Sequence, residues 1–173
     1  MTELLIRDGV AEVDAQSCAD IYAPFVDSTA VTFETEIPDS VDFARRINEA
    51  QRSHAWLVAE QDGEVVGYAY GVAFRSRPAY RFSTEVSIYL RQGYEGQGLG
   101  TRLYGELLER LTGLGYRMAV AGMVVPNPAC EELHRALGFE PVGVFRRVGW
   151  KQGEWRDVAW VQRPLGDDTS PPL

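Results

Sequence analysis

The residues of this chain best placed for chemistry lie between Ser83 and Leu114. Gly93, Gly96, Gly98 and Gly100 crowd a turn that follows an alternating run, with Val86, Ile88 and Leu90 apolar and Glu85, Ser87 and Tyr89 on the other face. After the turn, Leu99, Leu103, Leu107 and Leu111 recur every four residues, the mark of an amphipathic helix. A strand that feeds a glycine turn and then a helix N-terminus leaves backbone N–H groups unpaired where the helix dipole adds positive potential. The chemistry that fits is anion binding: a phosphate-bearing ligand held by main chain from Gly96 to Thr101. No Lys-Ser or Lys-Thr follows the glycines, so the nucleotide P-loop does not fit. By itself, such a turn reads more readily as a tight loop.

At 173 residues the chain suits one domain with a real core. Its formal net charge of -8 argues against non-specific nucleic-acid binding, which needs a basic face to displace counterions. An anionic ligand remains compatible, because local N–H groups and a few arginines can dominate a pocket. Cys18 and Cys130 form no metal-spaced cluster and read as reduced thiols. No apolar run approaches membrane-spanning length, and the start MTELLIRDG lacks the apolar segment of a signal peptide, so a cytoplasmic location is expected.

The elements that must position the glycine turn can be taken in order. Leu4 to Arg7 reads as a first strand, and Val13 to Val26 as a helix with Val13, Cys18, Ile21, Tyr22 and Phe25 on one side; Pro24 should end or kink it. Ser28 to Pro38 is loop-like, and Asp39 or Ser40 can cap a second helix reaching Arg52, with Val41, Ala44 and Ile47 inward. Ala55 to Ala59 and Glu64 to Ala73 flank Asp62-Gly63, a hairpin signal. The basic linker Arg75 to Arg81 leads into the Val86 strand. Arg117 to Val125, nearly all apolar, reads as a central strand broken by Pro126-Asn127-Pro128. A short helix from Ala129 to Leu137 ends at Gly138, and Pro141 to Trp150 with Trp155 to Gln162 form a terminal strand pair. The tail from Gly166 should be disordered. Interleaved strands and helices without repeat or linker predict one α/β or α+β domain with a mixed sheet.

Three features then coincide: the strand–GQGLGT–helix unit, a strand ending in Pro126-Asn127, and a short helix ending Leu133-His134-Arg135-Ala136-Leu137-Gly138-Phe139. Together they resemble the GNAT superfamily of acetyl-CoA-dependent N-acetyltransferases. The resemblance is closer to its phosphinothricin and methionine sulfoximine acetyltransferase branch, through Phe33-Glu34-Thr35-Glu36, the segment Phe74 to Tyr80, Glu85 before Ile88-Tyr89-Leu90, and Trp155-Arg156-Asp157-Val158. It implies a single GNAT-like α/β (α+β) domain over residues 1–165, with a mixed, largely antiparallel central sheet flanked by helices. It also implies acetyl-CoA as co-substrate, no metal, a small-molecule amine as acceptor, no nucleic-acid or membrane partner, and a homodimer. One residue departs from the pattern. Glu95 stands where the family carries Arg or Gln beside the pyrophosphate, and a solvated carboxylate there costs roughly a fraction of a kcal/mol. Arg91 and Arg102 are close enough in sequence to offset it.

N-acetylation needs a base for a protonated amine, a polarised thioester and a proton for the departing thiolate. The resemblance assigns the base to Glu85, whose plain alternative is a surface carboxylate paired with Arg81. It puts Ile88, Tyr89 and Leu90 along the pantetheine arm, with the Leu90 N–H facing the thioester oxygen. Gly96, Gln97, Gly98, Leu99, Gly100 and Thr101 would hold the pyrophosphate. His134 stands where many members carry the tyrosine that protonates the thiolate; Tyr89 is the alternative donor. Asn127 resembles a cofactor-contacting asparagine or simply caps the next helix. Arg75, Arg77 and Tyr80 match positions that clamp the acceptor's acidic groups, or form a solvated loop, and Phe33 is a candidate wall of the acceptor site. His54, Cys18 and Cys130 read as structural, and Trp150, Trp155 and Trp160 as parts of the terminal sheet or a dimer interface.

Overall fold

The computed structural model describes residues 4–166. Its elements run β1 (Leu4–Asp8), α1 (Ala11–Ser28), α2 (Ser40–Gln51), β2 (Trp56–Gln61), β3 (Glu64–Ala73), β4 (Ser83–Leu90), α3 (Leu99–Gly113), β5 (Met118–Val125), α4 (Pro128–Ala136), β6 (Glu140–Lys151) and β7 (Glu154–Pro164). The strands make one seven-stranded sheet in the order β1-β2-β3-β4-β5-β7-β6. Every pairing is antiparallel except β4 with β5, whose connection through α3 makes them parallel. The expected single α/β domain with a mixed, largely antiparallel sheet is the one found.

Alternation along the strands splits the core in two. Leu57 and Ala59 of β2 turn to one face with Val86 and Ala119, where Leu99, Leu103, Leu107 and Leu111 of α3 cover them. Trp56 and Val58 turn to the other face, under Cys18, Ile21 and Tyr22 of α1 and Phe43 and Ile47 of α2. On this second face Trp56 stacks between Tyr68 and Tyr70, at ring-centroid distances of 5.2 and 4.4 Å. The helices α1 and α2 lie over β2, β3 and part of β4, leaving the face of the β5-β7-β6 half without a helix.

Three local expectations need correction. Pro24 does not end α1, which runs on to Ser28; the carbonyl left without a helical donor belongs to the exposed Asp20, where water can satisfy it. Val13 and Val41, expected inward, are 67% and 76% exposed, because the buried faces are set by Asp14, Cys18 and Ile21 in α1 and by Phe43 and Ile47 in α2. The tail beyond Gly166 lies outside the described residues.

Asp14 is an unusual buried group, 1% exposed. It accepts both guanidinium nitrogens of Arg7, at 2.7 and 2.9 Å, and the Val10 N–H that opens α1, at 2.7 Å. Burial pushes its carboxyl up, but the bonds from Arg7 and Val10 outweigh that and hold its pKa below the ordinary carboxylate range. This ties β1 to α1 with both carboxylate oxygens bonded. Asp14→Ala should therefore cost about 2–3 kcal/mol in urea unfolding at neutral pH, the low end for a broken buried pair because Arg7 is partly exposed. A lowered folded pKa means that this stabilisation is complete above the unfolded carboxylate pKa and is lost as pH falls through the folded one. The gap between wild type and variant should accordingly close only in acid below the ordinary carboxylate range.

Candidate active site

The parallel strands β4 and β5 stay together only at their starts. Their register covers Ser83 with Met118, Thr84 with Ala119 and Glu85 with Val120, and then stops. Beyond Glu85, β4 follows β3 as far as Leu90, while β5 follows β7 as far as Val125, so the two part and leave a gap. The backbone N–H of Arg91 donates to the Val66 carbonyl at 2.8 Å. By strand alternation Tyr89, Ser87 and Glu85 bond β3, so the N–H groups of Ile88 and Leu90 point into the gap, where β5 no longer meets them. Val31, Ser87, Ile88, Tyr89, Tyr104 and His134 are among the residues that line the cavity there.

At the open end of the gap stands the glycine turn. Gly93, Gly96 and Gly98 have φ of 90°, 73° and 78°, a region costly for side chains, and α3 begins directly after Gly98. The first intrahelical bond runs from Arg102 to the Gly98 carbonyl at 3.1 Å, which leaves the N–H groups of Leu99, Gly100 and Thr101 without intrahelical acceptors. Gln97 is occupied: its amide donates to the Gly93 carbonyl at 3.0 Å. Glu95 is exposed, and its carboxylate folds back to accept the Gly93 N–H at 2.7 Å. Arg91, expected to offset it, donates instead to the Val65 carbonyl at 2.9 Å, whereas Arg102 is exposed on the first turn of α3.

Glu85 sits at the root of the gap, where the last paired residues of β4 and β5 meet. Burial raises its carboxyl above the ordinary range, and the charge of Arg75 pulls it partly back. No bond to Arg81 forms; the Arg81 guanidinium donates to the Pro78 carbonyl. Arg75 lies over the Phe74 ring at 4.2 Å, and Phe74 meets Tyr80 edge-on at 5.7 Å. Arg75, Phe74 and Tyr80 line a cavity of about 490 Å³ with Val120, Val144 and Trp160, on the helix-free half of the face that carries Glu85. Arg77 is exposed and does not line it. Phe33 is farther off, its ring packed on Gly149 near the β6–β7 turn.

The two candidate proton donors differ in setting. Tyr89 is enclosed by aromatic packing, edge-on to Tyr22 at 4.9 Å and Phe25 at 5.3 Å. His134 is buried in α4, with Nδ1 2.8 Å from the Cys130 carbonyl and Nε2 3.1 Å from the Tyr104 hydroxyl. A carbonyl can only accept, so Nδ1 carries the proton and Nε2 accepts from Tyr104. Burial lowers the His134 pKa, and the Cys130 carbonyl only partly opposes it. Tyr104 had no signal in the sequence: beside Leu103 it reads as core, and its bond spans two helices 30 residues apart. Asn127 caps α4 by accepting the Cys130 N–H at 3.2 Å while lining the gap. Among the described residues no group of three or more His, Cys, Asp or Glu is placed to hold a metal ion.

This geometry has counterparts. Residues 19–139 match the model of the acetyltransferase (GNAT) family. A phosphinothricin N-acetyltransferase of Streptomyces coelicolor is 36% identical over 94% of this chain and 97% of its own length. An L-methionine sulfoximine/L-methionine sulfone acetyltransferase of Pseudomonas aeruginosa is 37% identical over 96% of this chain and 98% of its own. Among solved structures, a GNAT superfamily phosphinothricin acetyltransferase from Sinorhizobium meliloti, in complex with AcCoA, superposes with a TM-score of 0.93. It is 40% identical, and the match covers 98% of this chain and 93% of that one.

The His134 tautomer is open to direct test. Both imidazoles, His54 and His134, are lowered by burial, so both should titrate below the free-histidine value in NMR. Tyr104→Phe frees Nε2 to take a proton and should move His134 upward while leaving His54 unchanged.

Proposed function

The chain belongs to the GNAT family of acetyltransferases, and from that premise we propose that it carries the acetyl group of acetyl-CoA to the α-amine of a small amino-acid analogue of the phosphinothricin or methionine sulfoximine kind. The enzyme is an acetyl-CoA-dependent N-acetyltransferase; the acceptor and the residue roles are the finer part of the proposal. The observation that carries it is the meeting, at one gap, of the inward N–H groups of Ile88 and Leu90 with a half-buried Glu85.

Acetyl-CoA, when bound, supplies an acetyl thioester. The gap suits its pantetheine arm, since Ile88, Tyr89 and Leu90 edge one side and the N–H groups of Ile88 and Leu90 have no strand partner. The Leu90 N–H donates to the thioester oxygen, an interaction of the kind whose removal costs about 3 kcal/mol. Gly96 to Thr101 present main-chain N–H groups to the pyrophosphate, with Gln97 acting through its backbone. Glu95 does not abolish this fit, because its exposed carboxylate is already turned onto the Gly93 N–H. Asn127 borders the arm while it caps α4.

Glu85 takes the proton from the acceptor's ammonium, directly or through water. The raised pKa suits that task, because a stronger base retains the proton that it removes. The departing thiolate takes its proton from the Tyr104 hydroxyl, because the neutral His134 of this pair keeps its own proton on Nδ1 against the Cys130 carbonyl, and solvent returns a proton to the Tyr104 oxygen; Tyr89 is the lesser candidate because aromatic rings enclose it. Arg75 and Tyr80 meet the acceptor's acidic groups, Arg77 adds charge at the rim, and Phe33 forms the far wall. The exposed Val142, Val144, Phe145, Trp150 and Trp155 of the β6–β7 hairpin support a homodimer built on that hairpin. A cytoplasmic enzyme is consistent with the free cysteines and with the absence of any membrane-spanning helix among the described residues.

A thiol-release assay with acetyl-CoA and a panel of phosphinothricin, methionine sulfoximine and polyamines tests the acceptor; CoA binding with no acetylation of the first two would sink it. Glu85→Gln should lower kcat about a hundredfold or more, with the acetyl-CoA KM little changed. In wild type, kcat/KM for the acceptor should fall as pH drops through a pKa above the ordinary carboxylate range, and this limb should vanish in the variant. Arg75→Ala removes the charge that pulls Glu85 down, so the limb should move to higher pH while the acceptor KM rises.

A further inference from the structure

The hairpin of β6 and β7 does not run straight. Phe145 faces Val158 and Gly149 faces Arg156, so Arg146, Arg147 and Val148 together oppose the single residue Asp157. Arg147 has φ of 50°, and its N–H donates to the Asp157 carboxylate at 2.8 Å, which fixes this bulge. Beyond it the strand delivers Gly149 and Lys151 past the end of β5, which pairs with β7 no farther than Val125 with Asp157. There the hairpin tip meets the loop between α1 and α2.

Two contacts join them. Lys151, 7% exposed, donates from Nζ to the Thr32 carbonyl at 2.9 Å. Phe33 lies flat against Gly149, so closely that a Cβ there would overlap its ring. The same loop is held from its other side, since the Thr32 hydroxyl meets the Tyr22 hydroxyl at 2.5 Å and Glu34 accepts the Arg46 guanidinium. A buried ammonium is costly unless partnered. Burial lowers the Lys151 pKa, and the carboxylates of Glu34 and Asp27 oppose that. Val31, one residue before Thr32, lines the gap between β4 and β5. A lysine stem spent on one main-chain carbonyl adds little to a core, but it fixes where Val31, Thr32 and Phe33 stand relative to the gap.

We propose that Lys151 is a positioning residue for the acceptor: its ammonium latches the Thr32 carbonyl, and so holds Phe33 as a fixed wall over the sheet face that carries Glu85. This rests on the acceptor reading given above for Phe33. The latch spans 119 residues of sequence and joins the two segments that flank the helix-free face. It acts away from the pyrophosphate turn at Gly96 to Thr101, and within the loop Val31 is the residue that borders the gap assigned to the pantetheine arm.

Lys151→Met keeps the stem and removes the donor, whereas Lys151→Arg keeps a charged donor. Gly149→Ala leaves the ammonium untouched and displaces the Phe33 ring. Lys151→Met and Gly149→Ala should each raise the acceptor KM roughly tenfold with a much smaller change in the acetyl-CoA KM, and Lys151→Arg should restore most of the loss. Amide hydrogen exchange should become faster across residues 31–34 in Lys151→Met and remain as in wild type over α3 and β3. An unchanged exchange rate in that loop overturns the latch, whatever amine is used. An unchanged acceptor KM in Gly149→Ala, or an equal rise in both KM values, overturns the wall. Failure of the acceptor reading itself shows separately, as wild-type protein that acetylates neither amino-acid analogue.

Discussion

The structure turns on one divergence of backbone. The two parallel strands at the middle of the sheet separate after Glu85 while each keeps its partner on the outer side: β3 holds β4 to Leu90, and β7 holds β5 to Val125. The consequence is a slot inside the sheet with donors on its wall. It costs unpaired main-chain groups, and it is tolerable only because water or an extended ligand can take their bonds. The neighbouring features answer to this slot. The glycine turn opens at its end, α4 with His134 lines one side, and Glu85 marks the point where it starts.

Several groups near the slot serve two ends at once. Asn127 caps a helix and borders the cavity, and Tyr104 is a core residue of α3 whose hydroxyl is spent on His134. Such sharing keeps the surroundings rigid: a side chain that is already bonded into a helix terminus or a core cannot swing away when a ligand arrives. Glu95 shows the same economy. The carboxylate that departs from the family pattern is absorbed by its own loop, where it stabilises the tight turn at Gly93.

Much of this was legible in the residues. The four leucines of α3 are all buried as their spacing required, and the strand order placed Arg117 to Val125 in the sheet interior as its apolar run suggested. The glycine turn was readable because positive φ has few substitutes. Other features were invisible for physical reasons. Val13 and Val41 turn outward because helix phase is set by the sum of contacts, and one apolar residue carries little of that sum. The Tyr104–His134 bond and the Lys151–Thr32 bond depend on tertiary placement across 30 and 119 residues, which local pattern does not encode. Arg91 was expected to serve the anion site and instead holds a carbonyl of β3, since a guanidinium near an edge goes to the nearest unpaired acceptor.

The bulge in β6 has a further consequence, for the protein's behaviour in a crowded solution. β6 is the outer strand of the sheet, twelve residues long, and carries exposed Val142, Val144, Phe145 and Val148. A flat edge of that length and polarity would template the addition of foreign strands. With the smaller irregularity at Val142, the three-residue bulge breaks the ladder into three short stretches and places Arg146 and Arg147 at the larger break. The Asp157 carboxylate that pins Arg147 thus also protects the free edge from open-ended stacking.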